Sequence, residues 1–236
     1  MVLVLVMVLA YLTSLLIFKH TEKRAFRLRR NFVRIAIKVL GIKMQVKGKP
    51  YDGIALYTCN HRSFSDPIIS SLFIDTYVIA KAEVADIPVL DRGARLTGVI
   101  YVKRDNKSSR HATREKMVEV IKSGLNVLVY PEGTVNHKAL CLPFHKGTFI
   151  EAAKNGFTVI PMALEYRDEL DLWYKRSFYH QMFRQFGKWR TEIKFEIGPP
   201  MTSDDGIALS EEVEEWTNKK IIEMNTGWSR VFSYKD

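Results

Sequence analysis

The sequence predicts an α/β protein, a mixed and mostly parallel central sheet flanked by helices, preceded by an N-terminal membrane-associated helical segment. Three observations lead there. Between residues 54 and 225, short apolar runs alternate with stretches of helical spacing, the pattern of strands joined by crossover helices. Met1 to Phe18 carries no charged side chain. Eight basic residues then follow, from Lys19 and Lys23 to Arg34 and Lys38.

An 18-residue apolar helix rising ~1.5 Å per residue reaches roughly across the hydrocarbon core of a bilayer. A cleavable signal peptide starts with its positive charge, whereas here the charge comes after the apolar run, so the segment reads as a retained anchor. The positive-inside rule then leaves the rest of the chain on the cytoplasmic face. Gly41 and the turn formers of KGKPYDG, residues 47 to 53, divide an N-terminal anchor and basic helix, residues 1–45, from a main domain, residues 46–236.

Within that domain IALYTC (54 to 59) reads as a strand. DPIISSLFI (66 to 74) opens a helix, with Asp66 at the N-cap and Pro67 at the first helical position. TYVIA (76 to 80) and GVIYV (98 to 102) are strands, and residues 108 to 124 a helix that stops at Gly124. NVLVYP (126 to 131) is a buried strand, residues 147 to 156 a short helix and residues 157 to 166 a further strand. TEIKFEIG (191 to 198) alternates at period two, and residues 210 to 225 form an amphipathic closing helix capped by Ser210. From Arg167 to Arg190 aromatic and basic side chains interleave without clean periodicity, which suits a membrane interface.

A hydrophobic fraction of 47% and a charged fraction of 26% exclude a disordered chain, and a net charge of +10 calls for an anionic partner. Two unclustered cysteines, Cys59 and Cys141, and the absence of any paired His or Cys motif give no metal site and no disulfide framework. No nucleic-acid-binding module is recognisable.

Asn60 and His61 stand where an apolar strand gives way to a loop, and Asp66 where the next helix starts; such junctions line the crevice of open α/β sheets. An imidazole there can take a proton from a hydroxyl, and a carboxylate on its other nitrogen fixes the tautomer and stabilises the imidazolium that forms. Ser63 and Ser65 lie in the same loop, but neither sits in a G-x-S-x-G elbow, so a serine hydrolase is the weaker reading.

Asn60-His61-Arg62-Ser63-Phe64-Ser65-Asp66-Pro67 resembles the first motif of the glycerolipid acyltransferase family that includes 1-acylglycerol-3-phosphate acyltransferase. Residues 98 to 104, ending in Lys103-Arg104, resemble its second motif, Tyr130-Pro131-Glu132-Gly133-Thr134 its third and Val159-Ile160-Pro161-Met162 its fourth, in family order. The resemblance covers roughly residues 50 to 200 and implies transfer of a fatty acyl group from acyl-CoA or acyl-carrier protein to the free hydroxyl of a lysophospholipid, giving phosphatidic acid if the acceptor is 1-acyl-sn-glycerol-3-phosphate. It implies His61 as general base, Asp66 as its orienting partner, and Arg104, Glu132, Gly133 and Thr134 around the acceptor headgroup, with Lys81 and Lys146 as further phosphate contacts. No cofactor or metal is implied, because a thioester is already activated and needs only to be placed beside the hydroxyl.

One departure stands out. Many phosphatidic-acid-forming relatives read Glu-Gly-Thr-Arg, and this chain has Val135 after Thr134. A missing cation there makes a lyso-amino-acid lipid, such as lyso-ornithine or lyso-glycine lipid, a competing acceptor. A non-enzymatic protein that binds anionic lipid through its basic surface is the alternative of another class.

Overall fold

The computed structural model describes residues 9–10, 13–14, 16–18, 21–82, 98–102, 107–174, 177–226 and 228. Helix α1 (Glu22–Val39) leads into β1 (Ile42–Lys47), and β2 (Leu56–Cys59) into the short α2 (Asp66–Ser70). β3 (Thr76–Lys81), β4 (Val99–Val102), α3 (Lys107–Lys122), β5 (Asn126–Val129), α4 (Gly147–Lys154) and β6 (Val159–Tyr166) follow. A single 3₁₀ turn (Glu169–Asp171), α5 (Phe178–Phe186), β7 (Thr191–Ile197) and α6 (Gly206–Thr226) complete the described elements.

The strands form one seven-stranded sheet in the order β1-β7-β6-β2-β5-β3-β4. Only β6 and β7 pair antiparallel; the other neighbours are parallel. This is the mixed, mostly parallel sheet that the alternation of runs predicts. All four residues of β2 and all eight of β6 are buried, which is why IALYTC and VIPMALEY are continuous apolar runs rather than alternating ones. β7 has a single neighbour strand on its outer side and alternates strictly between buried and half-buried positions.

Apolar side chains fill both faces. Tyr57, Cys59, Ile69, Tyr130, Leu164 and Tyr166 belong to one cluster, and Leu56, Val127, Val159, Met117, Phe149 and Leu209 to the other, under α3, α4 and α6. Successive β2 residues thus feed opposite faces, as the pleat requires. Because β2, β5 and β6 run parallel, their C-terminal ends share one edge of the sheet. β7 and β1 run against β6, so Thr191 and Ile42, their first residues, stand on that same edge.

Several elements depart from expectation. Ile42–Lys47 is a strand paired with β7, so residue 45, the expected end of the N-terminal segment, lies inside the sheet. Its solvent-exposed edge position hides it from a burial pattern. Ser65, not Asp66, precedes the first turn of α2; the Asp66 side chain turns back on the preceding loop instead of capping its own helix. Helix α6 starts at Gly206, where the Asp205 carboxylate accepts from Ile207 N and Ala208 N. Ser210, the expected cap, is buried in its second turn.

Most of Met1 to Phe18 lies outside the described residues. Among the described residues no helix is long and apolar enough to cross a membrane. The basic segment is divided in its use. Arg29 donates to Thr76 O at 2.9 Å and Arg30 pairs with Asp75, fastening α1 to β3, while Lys23, Arg27, Arg34 and Lys38 are exposed.

Candidate active site

The ladder between β2 and β5 sets Thr58 against Val129, and continuing that register brings His61 opposite Glu132. Both loops therefore leave the sheet side by side. His61 N donates to Glu132 Oε1 at 2.7 Å, Leu142 N donates to Glu132 Oε2 at 2.9 Å, and Asn136 N donates to His61 O at 2.7 Å. Asn60 secures the other flank, accepting from Leu164 N and donating to Leu164 O, each at 2.8 Å. Its amide extends the β2–β6 ladder by one rung with a side chain.

His61 Nδ1 lies 2.7 Å from Asp66 Oδ2. A carboxylate at that nitrogen puts the proton on Nδ1, leaving the Nε2 lone pair of the neutral ring as acceptor. Among the described residues no protein group hydrogen-bonds Nε2, and 16% of the His61 side chain is exposed. Asp66 is fully buried and held at every lone pair that matters: Oδ2 also accepts from Arg62 N at 2.6 Å and Ser63 N at 2.7 Å, and Oδ1 from the Tyr166 hydroxyl at 2.7 Å. Burial first, and the Asp66 charge second, push the Tyr166 phenol well above its ordinary value, so it remains a donor. The His61 ring rests on Tyr130, centroids 4.4 Å apart. The five-residue separation of His61 and Asp66 thus closes a pair at hydrogen-bond distance, because the loop between them folds around the carboxylate.

The serines of this loop face elsewhere. Ser63 Oγ donates to Gln185 Oε1 at 3.0 Å, and Ser65 Oγ lies 2.8 Å from the Tyr166 hydroxyl while accepting from Gln185 Nε2 at 3.0 Å. Neither is set against His61. The Cys59 and Cys141 thiols are both pushed up, chiefly by burial, and stay un-ionised. No three His, Cys, Asp or Glu side chains among the described residues gather closely enough to hold a metal ion.

The remaining candidate residues separate into groups. Glu132 is buried, and both its oxygens are taken by backbone amides. Burial raises its carboxyl above the ordinary value, against the pull of those amides and of Arg62. Gly133 has φ +70°, and a Cβ there would stand 2.8 Å from the His145 ring, so this turn needs glycine twice over. Thr134 beyond it is exposed. Lys146 pairs with Glu211 of α6 at 2.8 Å, in the helical layer on the far face of the sheet. Lys81 is the last residue of β3, two strands from β2. Arg104 lies outside the described residues, two positions past β4, a strand three removed from β2 or roughly 14 Å across the sheet.

Sequence reasoning passed over Arg62, Glu165, Tyr166 and Gln185. Arg62 Nη2 lies 3.1 Å from Glu165 Oε2 with both side chains completely buried, and its other donors reach Asn136 O, Lys138 O and Ala139 O. This cation ties the His61 loop, β6 and the loop after β5 together. Glu132→Gln tests the join between the two loops: it keeps the shape but replaces one acceptor oxygen with an NH₂ donor facing a backbone N–H. Urea unfolding is expected to show a loss of about 1–3 kcal/mol.

An acid-oriented histidine thus stands at the C-terminal edge of a mostly parallel α/β sheet, with neither loop serine set against it. The family model for Acyltransferase matches residues 28–165, more than half of the chain, and the protein belongs to that family. It is 31% identical over 116 residues to the lyso-ornithine lipid O-acyltransferase of Rhodobacter capsulatus, a stretch that is 49% of this chain and 42% of that protein. It is 30% identical over 148 residues to the 1-acyl-sn-glycerol-3-phosphate acyltransferase of Borreliella burgdorferi, 59% of this chain and 58% of that one. The chain thus spans about half the length of these curated relatives. The crystal structure of the acyltransferase PlsC from Thermotoga maritima shares the fold with a TM-score of 0.71 over 93% of this chain and 89% of that one, at 22% identity.

Proposed function

We propose that this protein transfers a fatty acyl group from an acyl-CoA or acyl-carrier-protein thioester to the free hydroxyl of a lysophospholipid at a membrane. The observation that carries the reading is the His61 Nδ1–Asp66 Oδ2 contact of 2.7 Å, which leaves Nε2 facing outward at the sheet edge. As the hydroxyl oxygen attacks the thioester carbonyl, Nε2 takes the hydroxyl proton and Asp66 stabilises the imidazolium. Collapse of the tetrahedral adduct breaks the C–S bond, and the imidazolium returns its proton to the departing thiolate. Atoms and charge balance without a metal, a cofactor or a covalent enzyme intermediate.

The acceptor meets the turn after β5, where the Gly133 backbone and the exposed Thr134 hydroxyl are available, with Arg104 and Lys81 as cations for its headgroup, while Lys146, paired with Glu211 on the other face of the sheet, stands apart. Glu132 acts from behind, holding the His61 amide. Met1 to Phe18 and the exposed basic residues of α1 keep the domain at the cytoplasmic face of the membrane.

1-Acyl-sn-glycerol-3-phosphate, giving phosphatidic acid, is the first acceptor. A lyso-amino-acid lipid is the second, favoured by Val135 at a position where a cation would grip a phosphate. Purified protein is assayed with a labelled acyl-CoA against lysophosphatidic acid, lyso-ornithine lipid and lyso-glycine lipid. Transfer to lysophosphatidic acid is expected; transfer only to an amino-acid lipid moves the acceptor to the second class. Vesicle binding without transfer to any lysolipid, from either donor, returns the protein to the non-enzymatic reading.

A further inference from the structure

Helix α5 buries two glutamines while leaving two of its aromatic rings in the open. Its inner side holds two fully buried glutamines, Gln181 donating to Leu170 O and Leu172 O and Gln185 bonded to Ser63 and Ser65 of the His61 loop, beside Phe178 and Phe186, which pack on Phe64. Its outer side is aromatic. Tyr179 and Phe183, one turn apart, are 56% and 54% exposed, and Trp189 just beyond the helix is 99% exposed. Water gives no reason to display three large rings together.

Two further features bear on what covers them. Residues 175–190 contain five basic and no acidic side chains, although Lys188 is held by Asp168 and Asp171 and Arg190 by Glu192. The Trp189 backbone also abuts the turn at Gly41 that ends α1, whose last turns expose Ile35 and Val39. Trp189 and Gly41 stand on the sheet edge that carries His61, since Thr191 and Ile42 begin their strands there.

We infer that the outer face of α5, continued by Trp189, is a docking surface for an anionic lipid bilayer. The rings enter the headgroup region, where amphipathic aromatics are favoured, and the basic balance of the segment suits an anionic surface. A second copy of the chain fits less well, because a two-fold contact would set these like charges against each other. Docking on this face presents His61 toward the lipid, since the inner side of the same helix grips its loop. The inference shares its lipid setting with the proposed reaction, but it rests on these side chains and not on catalysis.

Full-length protein is mixed with vesicles of equimolar phosphatidylglycerol and phosphatidylcholine carrying brominated acyl chains. Tryptophan emission is expected to be quenched, and Trp189→Phe to remove most of that quenching. A Tyr179→Ser/Phe183→Ser/Trp189→Ser variant, with unchanged circular dichroism because all three positions are exposed, is expected to bind roughly tenfold or more weakly. Equal quenching in Trp189→Phe, or equal vesicle binding by the triple variant, overturns the proposal, as does a change of the triple variant's mass in light scattering, which would make the face a protein contact. Quenching in a protein that transfers no acyl group would leave this surface standing and remove the reaction.

Discussion

Replacing His61 by alanine is expected to lower acyl transfer by about two to four orders of magnitude while leaving vesicle binding and unfolding free energy nearly unchanged. The ring lies on Tyr130, which is anchored separately to Ser70, and the Asp66 carboxylate keeps its bonds to Arg62 N, Ser63 N and the Tyr166 hydroxyl. Full activity in that variant would sink the base assignment. Asp66→Asn separates chemistry from architecture. An amide can keep its oxygen toward Arg62 N, Ser63 N and His61 while its NH₂ meets the Tyr166 hydroxyl, so the loop survives. It cannot balance an imidazolium. The Asn variant is expected to bind lysolipid with an unaltered KM and to lose about as much kcat as the alanine variant at His61. A large rise in KM with kcat preserved would assign Asp66 to binding instead.

The largest stability effect is expected at Arg62. Arg62→Ala leaves the Glu165 carboxylate buried without its cation and strands the carbonyls of Asn136, Lys138 and Ala139. Removing one member of a buried ion pair costs about 3–5 kcal/mol, a large part of the roughly 5–15 kcal/mol that holds a domain folded. Urea unfolding of Arg62→Ala, Glu165→Leu and the double variant forms the test. The double variant is expected to lose less than the sum of the single ones, since it buries no lone charge. Simple additivity would mean that the two groups do not act as a pair. Activity is expected to fall with Arg62→Ala as well, because Asn136, which this arginine steadies, holds the His61 carbonyl.

Local signals carried far enough to find β2 to β7, since their apolar runs or alternation follow from burial on one or both faces. They also placed His61 and Asp66 at a strand–loop–helix junction, a matter of chain order alone. β1 escaped because an edge strand with most residues in water leaves little apolar pattern. The same limit applies to caps. Asp205 and Ser210 are both reasonable N-cap residues, and only the path of the backbone decides between them.

The amino-acid sequence by itself determined the α/β class, the order of the motifs and the identity of an imidazole and a carboxylate close enough in the chain to meet. Tertiary structure alone decided what surrounds them. Asp66 meets Tyr166 across 100 positions, Arg62 meets Glu165 across 103 and Ser65 meets Gln185 across 120. Periodicity reports how a residue relates to its own helix or strand, and it is silent on partners so far away. Helix α5 shows the consequence. The sequence shows there only interleaved aromatic and basic side chains without clean periodicity; the fold draws Gln181 inward to Leu170 O and Leu172 O and Gln185 to the His61 loop, and leaves Tyr179 and Phe183 exposed. Hydrophobic patterning predicts which face is inside only where the interior is apolar, and here a buried hydrogen-bond network takes in two glutamines that patterning alone leaves in water.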